Sequence, residues 1–170
     1  MTIFTRRGDE GLTDLWGGIR VRKDDPIIEM LGTLDEVSAF VGLARSAVVN
    51  DEVKAPLLKI QDDLYRIMVE IASKKKKTTG IKHIDSDDVV WLEKQIEKYE
   101  HEISLPNSFI PAGDTYKGAL LDVCRTVVRR AERFAVSLLK SEREVNKDIC
   151  VYLNRLSSLL YILRVFMDAK

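Results

Sequence analysis

Histidine is nearly missing from this chain of 170 residues: His83 and His101 are the two, both in polar stretches. That scarcity excludes a histidine-built metal centre and leaves a Ser-His or Cys-His triad little to work with. Cysteine is equally sparse. Cys124 and Cys150 cannot form a disulfide framework, and no CxxC or mixed Cys/His spacing is present, so a reduced, cytoplasmic setting is expected. Charge of one sign is also lacking, since 27 Lys+Arg face 27 Asp+Glu. A general polyanion binder carries a basic excess, so nucleic acid is not an expected partner. No apolar run reaches the ~18 residues of a membrane span. The opening MTIFTRRGDEG has no apolar signal-peptide core, so neither a membrane nor a secretory leader is expected.

What is present points to one globular domain over residues 1–170, with 45% hydrophobic and 32% charged residues. Residues 1–32 differ from the rest: they hold Gly8, Gly11, Gly17, Gly18 and Gly32, five of the nine glycines, with Arg6, Arg7, Arg20, Arg22 and Lys23. They read as an irregular segment with an extended piece at Ile19-Arg20-Val21. Residues 33–170 read as helices. The first is expected over 34–48 with Thr33 as N-cap and Glu36 completing a capping box. A second starts near Val53, its Leu57, Ile60, Leu64, Ile67, Met68 and Ile71 at helical spacing, and ends in Lys74–Lys77. A third follows the acidic turn Asp85–Asp88. A fourth runs over 115–140 with Asp114 as N-cap, and a fifth from Lys147 with Asn146 as N-cap. Short connections between such helices imply an all-α, antiparallel four- or five-helix bundle.

Three stretches could carry chemistry. On the fourth helix Arg125, Arg129 and Glu132 form a stripe flanked by Arg133, beside an apolar face from Val123 to Leu139. Such a stripe is either a solvated face or a polyphosphate clamp, because guanidinium forks match phosphate oxygens. On the fifth, Asn154, Ser157, Ser158 and Tyr161 share a side that reads as the wet face of an amphipathic helix. In the N-terminal segment, Thr5, Gly8, Asp9, Gly11, Thr13, Gly17 and Gly18, with Arg20 and Lys23 behind them, suit a loop whose backbone amides cradle phosphate. It is neither a Walker motif nor a dinucleotide fingerprint. The lysine run, the two histidines, Trp16 and Trp91 read as solvated or packing residues.

Taken together these stretches form an ordered pattern. T-x-x-G-D-x-G-x-T-x-L-x-x-G-x-R-x-x-K is met by Thr5, Gly8, Asp9, Gly11, Thr13, Leu15, Gly18, Arg20 and Lys23. E-x-x-G-x-x-D-E follows at Glu29, Gly32, Asp35 and Glu36, then R-x-x-x-R-R-x-E-R at Arg125, Arg129, Arg130, Glu132 and Arg133, and N-R-L-S at Asn154 to Ser157. In this order the chain resembles the PduO-type ATP:cob(I)alamin adenosyltransferases over nearly its whole length. The family's F-I-L-P-G-G loop reads Phe109-Ile110-Pro111-Ala112-Gly113-Asp114 here, and its histidine before the first arginine is Asp122.

The resemblance implies a five-helix bundle assembled as a homotrimer, with ATP held between the N-terminal segment of one subunit and the arginine helix of the next. Thr5, Gly8, Asp9, Gly11, Thr13, Gly18 and Lys23 would line the triphosphate. Arg129, Glu132 and Asn154 would hold phosphate, Mg²⁺ and nucleoside, with Glu132 toward the metal. Asp35 and Arg125 match a pair that joins subunits, and Phe109 matches the aromatic that sits under the corrin and displaces its lower axial ligand. In the implied reaction the cobalt of cob(I)alamin attacks C5′ of ATP and triphosphate leaves, so the protein needs no general base or nucleophile of its own. A reductase would supply Co(I), and an adenosylcobalamin-dependent enzyme would receive the product. An alternative within the same fold is a non-catalytic ATP or cobalamin carrier or sensor.

Overall fold

The computed structural model describes residues 4–73, 80–105, 107–141 and 145–169; the Lys74–Lys77 run lies outside them. Two short strands, β1 (Leu12–Leu15) and β2 (Ile19–Arg22), precede five helices: α1 (Pro26–Ala47), α2 (Asp51–Ala72), α3 (Ser86–Glu100), α4 (Tyr116–Lys140) and α5 (Lys147–Asp168). The N-terminal segment is therefore partly ordered. β1 and β2 pair antiparallel with Leu12 opposite Arg22 and Leu15 opposite Ile19. Gly17 and Gly18 close the hairpin with φ of +84° and +77°, a left-handed pair that side chains would strain.

α1 starts about two turns earlier than the capping-box reading placed it. Asp25 is the N-cap, accepting from the Ile27 amide, and Pro26 fills the first position where no N–H is needed. Thr33 is instead buried mid-helix, its hydroxyl donating to the Glu29 carbonyl at 2.8 Å. Thr115, not Asp114, caps α4, accepting from the Gly118 amide. Asn146 caps α5 as expected, and Asp85 with Asp88 forms a capping box on α3.

Inside α2, Pro56 removes the amide that would bond the Glu52 carbonyl. The buried Tyr99 hydroxyl of α3 donates to that carbonyl at 2.7 Å. α1 packs on α2 and α4, α4 packs on α5, and α5 packs on α3. α5 departs most from its expected amphipathicity. Of its expected wet side, Ser157 is buried, Asn154 and Tyr161 are half-buried and Ser158 is exposed, so that side lies only partly within the bundle. By length and hydropathy α5 could cross a membrane, but it is the core helix here. On α4 the apolar face is narrower than its periodicity suggested, since Val123 and Leu139 are exposed.

The ring of helices closes between α2 and α3 through charge. Asp63, 2% exposed, accepts from Lys59 Nζ at 2.6 Å, Arg66 Nη1 at 2.8 Å and the Tyr152 hydroxyl of α5 at 2.8 Å. Arg66 reaches across to both oxygens of Asp88, at 2.9 and 2.8 Å, and to the carbonyls of Lys82 and His83. Burial pushes the Asp88 carboxyl up, but its hydrogen bonds to Arg66 and the Asp85 amide outweigh that and hold it below the ordinary value. A carboxyl depressed by folding contributes stability above its unfolded pKa of about 4, and that contribution is lost as pH falls through the folded value. The melting temperature should therefore fall as pH drops below about 4. Asp88→Asn should flatten that acid limb while lowering stability at neutral pH; thermal melts across pH check both.

Candidate functional site

The N-terminal segment forms a compact turn, with the Asp9 amide donating to the Arg6 carbonyl and the Gly11 amide to the Gly8 carbonyl. Asp14 on β1 pairs with Arg7 at 3.1 Å and with Arg20 of β2 at 3.3 Å, and Arg20 also donates to the Arg7 carbonyl. These contacts fold residues 6–8 back over the hairpin. The Lys23 amide donates to the Gly11 carbonyl at 2.8 Å. The Lys23 ammonium lies over Gly8, where an added Cβ would stand 3.2 Å from Nζ. Lys23 makes no ion pair among the described residues. Thr5, Asp9 and Gly11 are exposed around this turn; Gly18, also exposed, stands at the far tip of the hairpin, and Thr13 lies in β1 opposite Val21.

The second half of the site lies on α4 and α5. Glu132 accepts from Asn154 Nδ2 at 2.9 Å, joining the two expected ligands across the helix pair. Arg155 orients that amide, donating to Asn154 Oδ1 at 2.9 Å while its Nε holds Glu93 of α3 at 2.8 Å. Arg129 is exposed one turn before Glu132, and its guanidinium makes no ion pair among the described residues. Its carbonyl takes Arg133 Nη1 at 3.0 Å, and Arg130 pairs with Glu36 of α1. An open shelf of about 440 Å³, lined by Ile28, Glu29, Gly32, Thr33, Glu36 and Arg130, adjoins that pair.

Neither thiol offers a nucleophile. Burial pushes Cys124 up to about 12. Burial, then the Glu132 charge, raises Cys150 as well. The described residues contain no cluster of three or more Asp, Glu, His or Cys that could cage a metal. One carboxylate, Glu132, beside a polyphosphate does suit Mg²⁺, which prefers one or two carboxylates plus phosphate oxygens.

Several expected partners do not meet within one chain. Arg125 donates from Nε to Asp122 on its own helix at 2.6 Å, and Asp35 stands exposed on α1 with no ion pair among the described residues. The hairpin lies at one end of the bundle. There Trp16 bridges to Ser73, the Ile84 amide donates to Glu70, and Asn146 donates to the Ile84 carbonyl. Phe109 lies at the other end, on the loop before α4, and is 90% exposed. Arg129 stands roughly 20 Å along α4 from the Thr115 cap. Sequence reasoning did not anticipate the Arg130–Glu36 and Arg155–Glu93 pairs, whose partners lie 94 and 62 residues apart. The spacing of Asp122 and Arg125, three apart on a helix, could have signalled their pairing.

The fold and these residues define a helical bundle that presents a glycine-rich turn under the Lys23 ammonium and, apart from it, an Arg–Glu–Asn face. The chain belongs to the cobalamin adenosyltransferase family, whose model matches residues 3–167. It is 34% identical over 174 aligned positions to the corrinoid adenosyltransferase of Bacillus subtilis, covering 100% of this chain and 88% of that one. It is 36% identical to the corrinoid adenosyltransferase PduO of Salmonella typhimurium over 96% of this chain, and spans 48% of that longer protein. A variant PduO-type ATP:corrinoid adenosyltransferase from Lactobacillus reuteri, complexed with cobalamin and ATP, superposes with a TM-score of 0.90 at 29% identity, covering 99% of this chain and 91% of that one.

Proposed function

We propose that this protein transfers the 5′-deoxyadenosyl group of ATP to the cobalt of cob(I)alamin. The observation that carries the reading is the Glu132–Asn154 pair beside Arg129, which makes no ion pair among the described residues, in a chain of this family. The cobalt donates its electron pair to C5′, the C5′–O bond breaks, and triphosphate leaves with that bond's electrons. The charge to be managed is on the leaving group. Lys23 would receive one part of the triphosphate beside Gly8 and Gly11, with Thr5, Asp9 and Thr13 completing that wall, and Arg129 would receive the other. A Mg²⁺ ion held through Glu132 would neutralise phosphate oxygens when bound. Asn154, held by Arg155, would orient the nucleoside, and fixed donors of this kind favour the transition state without reorganising.

The proposed assembly is a homotrimer with each site shared by two subunits, Asp35 of one facing Arg125 of the next. Its support is the distribution of the ligands: the Gly8–Gly11 turn and the Phe109 loop lie at opposite ends of one bundle, and Arg129 makes no ion pair among the described residues. On this reading Phe109 lies under the corrin, a cytoplasmic reductase supplies Co(I), and an adenosylcobalamin-dependent enzyme takes the product. The free thiols Cys124 and Cys150 suit that reducing compartment.

The test is anaerobic. Purified protein mixed with chemically reduced cob(I)alamin and MgATP should lose the Co(I) spectrum and form light-sensitive adenosylcobalamin. Ligand binding without turnover would favour a carrier, and sedimentation at micromolar concentration as a monomer would remove the shared site.

A further inference from the structure

We propose that Arg164 is a positioning residue for the corrin side of the site, fixing the loop that carries Phe109. This rests on the reading of Phe109 given above. Arg164 is 2% exposed in the last turns of α5, a helix otherwise buried through apolar residues. Its Nε donates to Asp168 Oδ2 at 2.9 Å, closing an i,i+4 ion pair. Its remaining nitrogens point out of the helix toward the loop. Nη1 donates to the Ile110 carbonyl at 3.4 Å and Nη2 to the Pro111 carbonyl, with Asp114 Oδ2 a further 3.9 Å away. One guanidinium thus holds the two carbonyls that directly follow Phe109.

The other end of the clamp is equally built. Asp168 Oδ1 accepts from the Thr115 hydroxyl at 2.6 Å, and Thr115 Oγ1 accepts from the Gly118 amide at 2.9 Å. Gly118 is required by close approach, because an added Cβ would lie 2.0 Å from Asp168 Oδ1. The end of α5, the start of α4 and the Phe109 loop therefore meet at one buried cation. A buried ion pair adds little net stability over a well-packed apolar group, so stability alone is a weak reason to keep it. What a rigid fork of donors supplies is geometry. Phe109 itself, almost wholly exposed, has no packing to hold it out from the bundle end, and the pinned carbonyls beside it do so.

Lysine keeps the charge opposite Asp168 but cannot span both carbonyls. Arg164→Lys should therefore fold and bind MgATP as the wild type does. With MgATP present it should hold less cob(II)alamin in the lower-ligand-free form, read by absorbance. Turnover at limiting corrinoid should fall by roughly 10²-fold, the scale set by a 1 Å misplacement. Phe109→Ala should show the same corrinoid-side defect, and the double variant should be no worse than Phe109→Ala alone. Should Arg164→Lys melt early, the isosteric Asp168→Asn, assayed below its transition, tests the same clamp. A defective Phe109→Ala beside a clamp variant with wild-type corrinoid spectra overturns the inference alone, and so do additive losses in the double variant. A Phe109→Ala protein with normal corrinoid spectra overturns the Phe109 reading, and this inference with it.

Discussion

Arg129→Ala is expected to lower the rate of adenosyl transfer by roughly 10²–10³-fold, the loss seen when a fixed donor to developing charge is removed from an active site. The residue is exposed and makes no ion pair among the described residues, so its removal costs no buried contact. Its backbone carbonyl, which Arg133 uses, survives the change. The melting temperature should therefore stay at the wild-type value while activity collapses. Single-turnover kinetics with saturating MgATP would separate loss of chemistry from loss of binding. Near-normal turnover would take Arg129 out of the phosphate clamp. Arg129→Lys should recover part of the rate, because it restores the charge without the fork.

The largest stability effect belongs to Arg66→Ala. That change leaves Asp63 and Asp88, both buried, without their guanidinium and strips a donor from the Lys82 and His83 carbonyls. Breaking a buried pair from one side costs about 3–5 kcal/mol. For a domain of this size that lowers the melting temperature by on the order of 10 °C. Lys59 and the Tyr152 hydroxyl still reach Asp63, which places the effect toward the lower end. Asp88→Asn in the same background should be partly restoring, since without Arg66 the Asp88 charge keeps, among the described residues, only the Lys59 ammonium at 3.8 Å. Calorimetry on the two single variants and the double checks the coupling; strict additivity would show that the residues do not act as one network.

The helices were legible because their signals are local. Asn146 stands directly before α5, and Asp85 with Asp88 announces α3 within four residues. α1 was misplaced for a local reason too: Thr33 and Glu36 imitate a capping box, while Asp25-Pro26, the real start, sits in a glycine-rich stretch that reads as irregular. The polar side of α5 is wet only in part, at Ser158 above all, because periodicity reports polarity and not partners. Ser157 is buried with its hydroxyl on the Asn154 carbonyl, and Asn154 is turned to Glu132. Among the expected site residues, Glu132 and Asn154 come together within the chain, as do Lys23, Gly8 and Gly11. Arg125 with Asp35 does not, because Asp122 already takes the arginine. Arg164 escaped notice because a lone arginine on an apolar helix gives no hint of carbonyls more than fifty residues earlier.

The central place of α5 in the bundle also bears on how the molecule is made. It is the last of the five helices to leave the ribosome, yet it supplies the wall against which α3 and α4 pack and the hydroxyl that reaches Asp63 on α2. At about 5–20 residues per second, the nascent chain carries an open apolar groove for seconds before α5 arrives. Native packing thus waits on the emergence of α5, and the interval exposes the apolar faces of α3 and α4, Tyr99 among them, whose ring meets Phe166 of α5 edge-on, to chaperones and to neighbouring chains.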